Sequence, residues 1–104
     1  VSAALKRIRA SCVARAKNRC ECGCNRWITA ETCHLDHKFG RAREESVESC
    51  WALSIECDDE RTRNYPSAAI WWARYALHCL KHRYWSHLER ALTAVQTQEA
   101  KGFA

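Results

Sequence analysis

Three cysteines in five residues, Cys20-Glu21-Cys22-Gly23-Cys24, constrain this chain more than any other feature. Thiols on alternate residues are too close along the chain to pair easily with one another, because a disulfide needs a specific Cα separation and converging Cβ vectors. Their spacing suits metal ligation better, and a tight turn holding a glycine is the shape a zinc knuckle needs. The chain carries eight cysteines in 104 residues. Paired as disulfides they would make a secreted, stapled scaffold. The first twenty residues, however, are basic and lack the continuous apolar run of a secretory leader. A reducing cytoplasm and a structural zinc are therefore expected. No apolar stretch is long enough to span a membrane. The chain has no methionine and hence no initiator, as in a processed or excerpted protein.

The length suits one domain with one core, to which five tryptophans contribute much of the area. The net charge of +5 is unevenly placed. Lys6, Arg7, Arg9, Arg15, Lys17 and Arg19 all precede the first acid, Glu21. A polyanion such as DNA is the partner this excess suggests.

Residues 3–18 read as a helix, with Leu5, Ile8, Cys12, Val13 and Ala16 at helical spacing and bases around them. That helix either lies along phosphates, through residues such as Arg7 and Arg15, or simply carries a solvated cationic face. Residues 19–26 form the cysteine turn. Residues 27–29 and 32–39 have strand content, 40–49 a loop, and 50–55 a second strand. Asp58 to Arg63 opens a helix with acids first and bases after, as the helix dipole prefers. Pro66 suits a first helical position. Beyond it the pattern is helical, with a bend expected near 81–84 and fraying from about residue 97. Ile70, Ala73, Leu77 and Leu80 form one apolar stripe; Leu88, Leu92 and Val95 form another. Trp71, Trp72, Tyr75 and Trp85 are expected to pack rather than to stack on bases. The C-terminal helices could pair two chains or close the core of one.

Cys33-His34-Leu35-Asp36-His37 carries the most chemistry. Strand alternation places His34 with Asp36, and His37 can turn toward the loop at the strand's end. A helix packed on the hairpin would bring Asp58 to face Asp36. Two carboxylates with open water positions favour Mg²⁺ or Mn²⁺. His37 would then activate water, the metal would stabilise developing charge, and Arg41 and Arg43 would clamp phosphates. Lys38, Arg61 and Arg63 extend the basic flank of this region.

From Arg19 to Asn64 the chain resembles the HNH, or ββα-metal, endonucleases, particularly small phage members and the endonuclease VII type. In that family a cysteine knuckle precedes an Asp-His pair. A second knuckle follows the next strand, and a metal-binding residue succeeds its last cysteine. The resemblance rests on His34-Leu35-Asp36-His37, on Trp51-Ala52-Leu53 leading to Cys57-Asp58, and on Arg61-Thr62. It implies Asp36 and Asp58 as catalytic metal ligands, His37 as general base and DNA as substrate. It also implies an α+β fold, with a two-stranded hairpin and helix over residues 19–64, a basic helix over 1–18, a helical extension over 65–98 and a tail over 99–104. Phage packaging or recombination proteins are partners such a protein would meet.

Three departures stand out. Ser49 or Cys50 occupies the place of an asparagine that usually holds the loop. Asp58 replaces the usual His or Asn. Ser54 stands where the second knuckle's first cysteine is expected, so the zinc site lacks its usual fourth thiolate. Cys20, Cys24 and Cys57 are the expected ligands. Cys22 competes with Cys24, and Cys79 or His82, in a Cys-x-x-His spacing, is a candidate fourth. Cys12, Cys33 and Cys50 are expected to be small buried apolar residues. A zinc-stabilised DNA-binding module without catalysis is the alternative to an endonuclease.

Overall fold

The computed structural model describes residues 2–39, 45–64 and 69–101. Among these the protein is α+β, with one two-stranded antiparallel hairpin and four helices. The elements are α1 (Ala3–Arg15), β1 (Cys33–His37), β2 (Cys50–Ser54), α2 (Ile55–Asn64), α3 (Ala69–His82) and α4 (Trp85–Lys101). The chain divides into two compact units, 1–58 and 59–104.

In the first unit, Ser2 caps α1 by accepting from the Leu5 amide at 3.1 Å. The helix stops at Arg15, earlier than the apolar pattern suggests, because Lys17 and Asn18 adopt left-handed backbone with φ of 53° and 60°. That reversal folds the next segment into a short stem. Ile28 donates to the Asn18 carbonyl at 2.9 Å, Arg19 and Trp27 form an isolated bridge, and Cys20 donates to the Arg26 carbonyl at 2.8 Å. The strand content of 27–29 yields only that bridge. At the tip Gly23 has a φ of 95°, which a side chain would strain.

The hairpin pairs His34 with Leu53 and Asp36 with Trp51 on one face, and Cys33 with Ser54, Leu35 with Ala52 and His37 with Cys50 on the other. All five residues of β2 are buried, so this strand is covered on both faces. Cys12, Val13, Ile28, Cys33, Cys50, Trp51 and Leu53 form the core of this unit, as expected of the three apolar cysteines. β2 runs directly into α2, and Ser54 caps that helix by accepting from the Cys57 amide at 3.2 Å. The helix therefore begins at Ile55, which puts Asp58 in its first turn.

In the second unit α3 and α4 pack against each other. They part at Arg83, whose φ of 60° makes the break that neither glycine nor proline supplies. The buried side of α3 is Ala69, Trp71, Trp72, Tyr75, Ala76, His78 and Cys79. This corrects the expected stripe: Ile70, Leu77 and Leu80 are exposed, as are Trp85 and Leu92. The aromatic side of α3 offers more area to bury than the aliphatic side, and it wins. α4 continues to Lys101 where fraying was expected from residue 97. Pro66 and residues 102–104 lie outside the described residues. No helix among the described residues is long and apolar enough to cross a membrane.

Candidate functional site

The knuckle tip and the first turn of α2 bring four thiols together. The sulfurs of Cys20, Cys22, Cys24 and Cys57 all lie within 4.8 Å of one another. Adjacent separations are 3.4 Å for Cys20–Cys22, 3.4 Å for Cys22–Cys57 and 3.5 Å for Cys57–Cys24. Four sulfurs at a zinc–sulfur distance of about 2.3 Å from a common centre stand roughly 3.8 Å apart in a tetrahedron. The cluster therefore fits a zinc ion with little adjustment. All eight cysteines are free thiols.

Cys22 thus joins Cys24 rather than competing with it, and the set is complete without Cys79 or His82. The knuckle side of the cluster offers three thiols and the first turn of α2 offers one. Ser54 offers no ligand to the cluster but braces it. Besides capping α2, its amide donates to the Cys20 sulfur at 3.2 Å. Hydrogen bonding from Cys22, and then from the backbone, holds the Cys20 thiol well below its usual range, at about 5. The neighbouring Cys22 thiol is pushed up, chiefly by that same bond to Cys20 and then by burial. Arg26 donates to the Cys57 sulfur at 3.6 Å, a cation placed to offset thiolate charge.

A buried ion pair secures the knuckle to the rest of the unit. Arg15 grips both carboxylate oxygens of Glu21, at 2.7 and 2.6 Å. It also donates to the carbonyls of Val47 and Cys50, at 2.6 and 2.9 Å. Glu21 in turn exchanges two bonds with Ala52 in β2. Arg15 therefore belongs to the interior, which corrects its assignment to DNA. Burial pushes the Glu21 carboxyl up while Arg15 pulls it back.

No family model, curated protein or solved structure matches the chain.

The residues expected to carry catalysis divide into three places. Asp58 reaches across from α2 to β1, where its Oδ2 lies 2.8 Å from His34 Nδ1. Asp36 instead accepts from the Trp51 indole at 2.8 Å and lies 3.7 Å from the Lys38 ammonium. Cross-strand register causes this, since Asp36 and Trp51 are directly opposed on one face. No group of three or more converging ligand atoms among the described residues contains both Asp36 and Asp58. His37 does turn toward the loop at the end of β1, where Nε2 lies 3.6 Å from Glu45. Its side chain is largely buried, at 6% exposure. The loop before β2 is braced by two serines. Ser49 Oγ accepts from the Ser46 amide at 3.1 Å, and Ser46 Oγ accepts from the Ser49 amide at 3.1 Å.

The basic residues assigned to DNA divide as well. Lys38 is buried, its ammonium 4.5 Å from the Trp51 ring centroid, and Arg61 is buried too. Neither is a surface phosphate contact, which corrects both assignments. Arg7 and Arg63 are exposed. Arg41 and Arg43 lie outside the described residues. His34, expected from its place on the Asp36 face to orient Asp36 or to contact phosphate, instead meets Asp58.

Proposed function

We propose that the protein is a zinc-stabilised, divalent-metal-dependent DNA endonuclease of the HNH type, its hairpin and α2 serving as a ββα-metal core. The contact between His34 and Asp58 carries this reading, because it ties the first turn of α2 to the strand that holds Asp36 and His37. The thiol cluster supports it by anchoring Cys57, the residue before Asp58.

In this reading Asp58 and Asp36 would hold a Mg²⁺ or Mn²⁺ ion, which would supply positive charge to the phosphate. The Trp51 indole holds the Asp36 carboxylate in orientation. His37 takes a proton from the attacking water as the new P–O bond forms, and the opposite P–O bond breaks. Glu45, near Nε2, steadies the imidazolium that results. Arg7 and Arg63 are exposed and would meet phosphates; Arg41 and Arg43, outside the described residues, are proposed for the same purpose.

A second reading has its own observation. Asp36 is held by Trp51 and Lys38, and His37 is closed against Glu45. Both favour a zinc-stabilised DNA-binding module that does not cut. The two readings separate in one assay. Supercoiled plasmid is incubated with the zinc-loaded protein and Mg²⁺ or Mn²⁺, beside His37→Ala and Asp58→Asn. The endonuclease reading expects nicking that both substitutions abolish. Salt-dependent binding without cleavage establishes the module instead, and undiminished nicking by His37→Ala removes His37 as the base.

A further inference from the structure

Trp27 is 62% exposed, yet it stands in a hydrogen-bonded stem. Its backbone bridges Arg19, and hydrogen bonds of the stem enclose it on both sides, from Ile28 to Asn18 and from Cys20 to Arg26. Single exposed apolar residues are common and carry no meaning alone. Three further observations distinguish this one. The Arg19 guanidinium lies 5.1 Å from the ring centroid, a cation–π arrangement. Lys17, Arg19 and Arg26, all from the same stretch of chain, are exposed. The only acid between residues 17 and 28 is Glu21, whose carboxylate is buried on Arg15, its side chain 2% exposed. Arg26 does approach Glu56 at 3.6 Å, but both side chains are more than half exposed, and such a pair is weak in water.

We propose that Trp27 and Arg19 form a stacking step for a single-stranded nucleic-acid segment. One base lies against the indole, and Arg19 meets a neighbouring phosphate. An exposed aromatic ring beside a cation, in a stretch of net positive charge, is the combination that unpaired bases require, since every base has a π-face and every linkage a negative charge. The positive surroundings favour this partner over an apolar protein surface. The proposal rests on the nucleic-acid-binding part of the reading above and is independent of hydrolysis. It would serve an enzyme that meets unpaired or branched DNA, or a module that only binds it.

The test is fluorescence anisotropy of a labelled short oligothymidine with the zinc-loaded protein, over a range of salt. Trp27→Ala, Trp27→Phe and Arg19→Ala are compared with the unaltered chain, and plasmid nicking is measured in parallel. Trp27→Ala should weaken binding between about fivefold and a hundredfold, the loss of one stacked base, with its salt slope unchanged. Trp27→Phe should retain most of the affinity. Arg19→Ala should weaken binding and reduce the salt slope by about 0.7. Zinc content and circular dichroism check folding, and if Trp27→Ala does not hold zinc, the Trp27→Phe and Arg19→Ala results decide. Unchanged binding by Trp27→Ala overturns the proposal, as does an unaltered chain with no affinity for the oligonucleotide. If Trp27→Ala instead abolishes self-association while oligonucleotide binding persists, the ring is a protein contact and the proposal fails. Loss of nicking with oligonucleotide binding intact strikes the endonuclease reading alone.

Discussion

Replacing Arg15 by alanine should cost the protein about 3–5 kcal/mol, because it leaves the Glu21 charge buried and unpaired. Among the described residues, Arg15 donates to the Glu21 carboxylate and to the Val47 and Cys50 carbonyls, joining the end of α1 to the knuckle, to the loop before β2 and to the start of β2. Its side chain is 10% exposed and that of Glu21 only 2%. Neither charge is replaced by water when its partner is removed. Alanine also strips the carbonyls of Val47 and Cys50 of the Arg15 donor. The size of the loss depends on pH. Burial raises the Glu21 carboxyl, so the folded chain holds that proton to a higher pH than the unfolded chain. In Arg15→Ala the opposing pull of the guanidinium is gone and the rise is larger. Stability of the variant should therefore be best below the ordinary glutamate value of about 4.3 and fall as pH rises through the raised folded value. Urea denaturation of the full, zinc-loaded chain, followed by circular dichroism at neutral and acidic pH, measures this. Adding Glu21→Gln to Arg15→Ala should recover part of the loss at neutral pH, since glutamine can still accept from Ala52 without a charge. A cost below about 1 kcal/mol, or no recovery in the double variant, would refute charge burial as the cause.

Zinc should bind at one ion per chain, and Cys22→Ala should lower the retained zinc as much as Cys57→Ala does, while Cys79→Ala leaves it unchanged. Metal content after gel filtration reads this, and equal retention by Cys22→Ala would show that three thiols suffice. Cys12 gives a pH prediction of the opposite range. Its thiol is fully buried, and desolvation pushes it up to about 12. A raised folded value means its contribution to stability is complete below the ordinary thiol range and is lost as pH rises from about 9 toward 12. Denaturation midpoints should fall over that window, and Cys12→Ala should fall less steeply. Identical slopes would assign the alkaline loss to other groups.

The parts of this fold that were legible in the sequence are those fixed by local chemistry. The order of strand, loop, strand and helix follows from two short runs around Leu35 and around Trp51-Ala52-Leu53, separated by a polar stretch, and from the acids that open α2. The knuckle follows from the spacing of its thiols. What was not legible depends on which side chains compete for the interior. Six bases precede Glu21, and nothing local marks Arg15 as the one that turns inward; only the fold shows that Glu21 is delivered to it from beyond the left-handed turn at Lys17 and Asn18. The stripe Ile70, Leu77 and Leu80 has regular helical spacing, but so do the larger residues on the opposite side of α3, and periodicity does not say which side is covered. Asp36 and Asp58 illustrate the same limit at the candidate site. Alternation correctly set Asp36 on the His34 face, whereas its partner was decided by the register that placed Trp51 opposite.

Ser54 and the thiol cluster act on the same turn. Ser54 is the last residue of β2, and its hydroxyl accepts from the Cys57 amide and starts α2 at Ile55, while the Cys57 sulfur meets those of Cys20, Cys22 and Cys24. Cys57 is thereby fixed twice, by its sulfur in the cluster and by its amide on the cap. Asp58 is the next residue on that turn, and its carboxylate holds His34 on β1. Metal binding and folding are coupled whenever the ligands must be gathered from distant parts of the chain. Here the gathering of Cys57 also sets the direction of Asp58. The thiol cluster, which fits a zinc ion, and the acid–imidazole contact are consequently joined through the first turn of α2, which links the cluster to the residues proposed to do the chemistry.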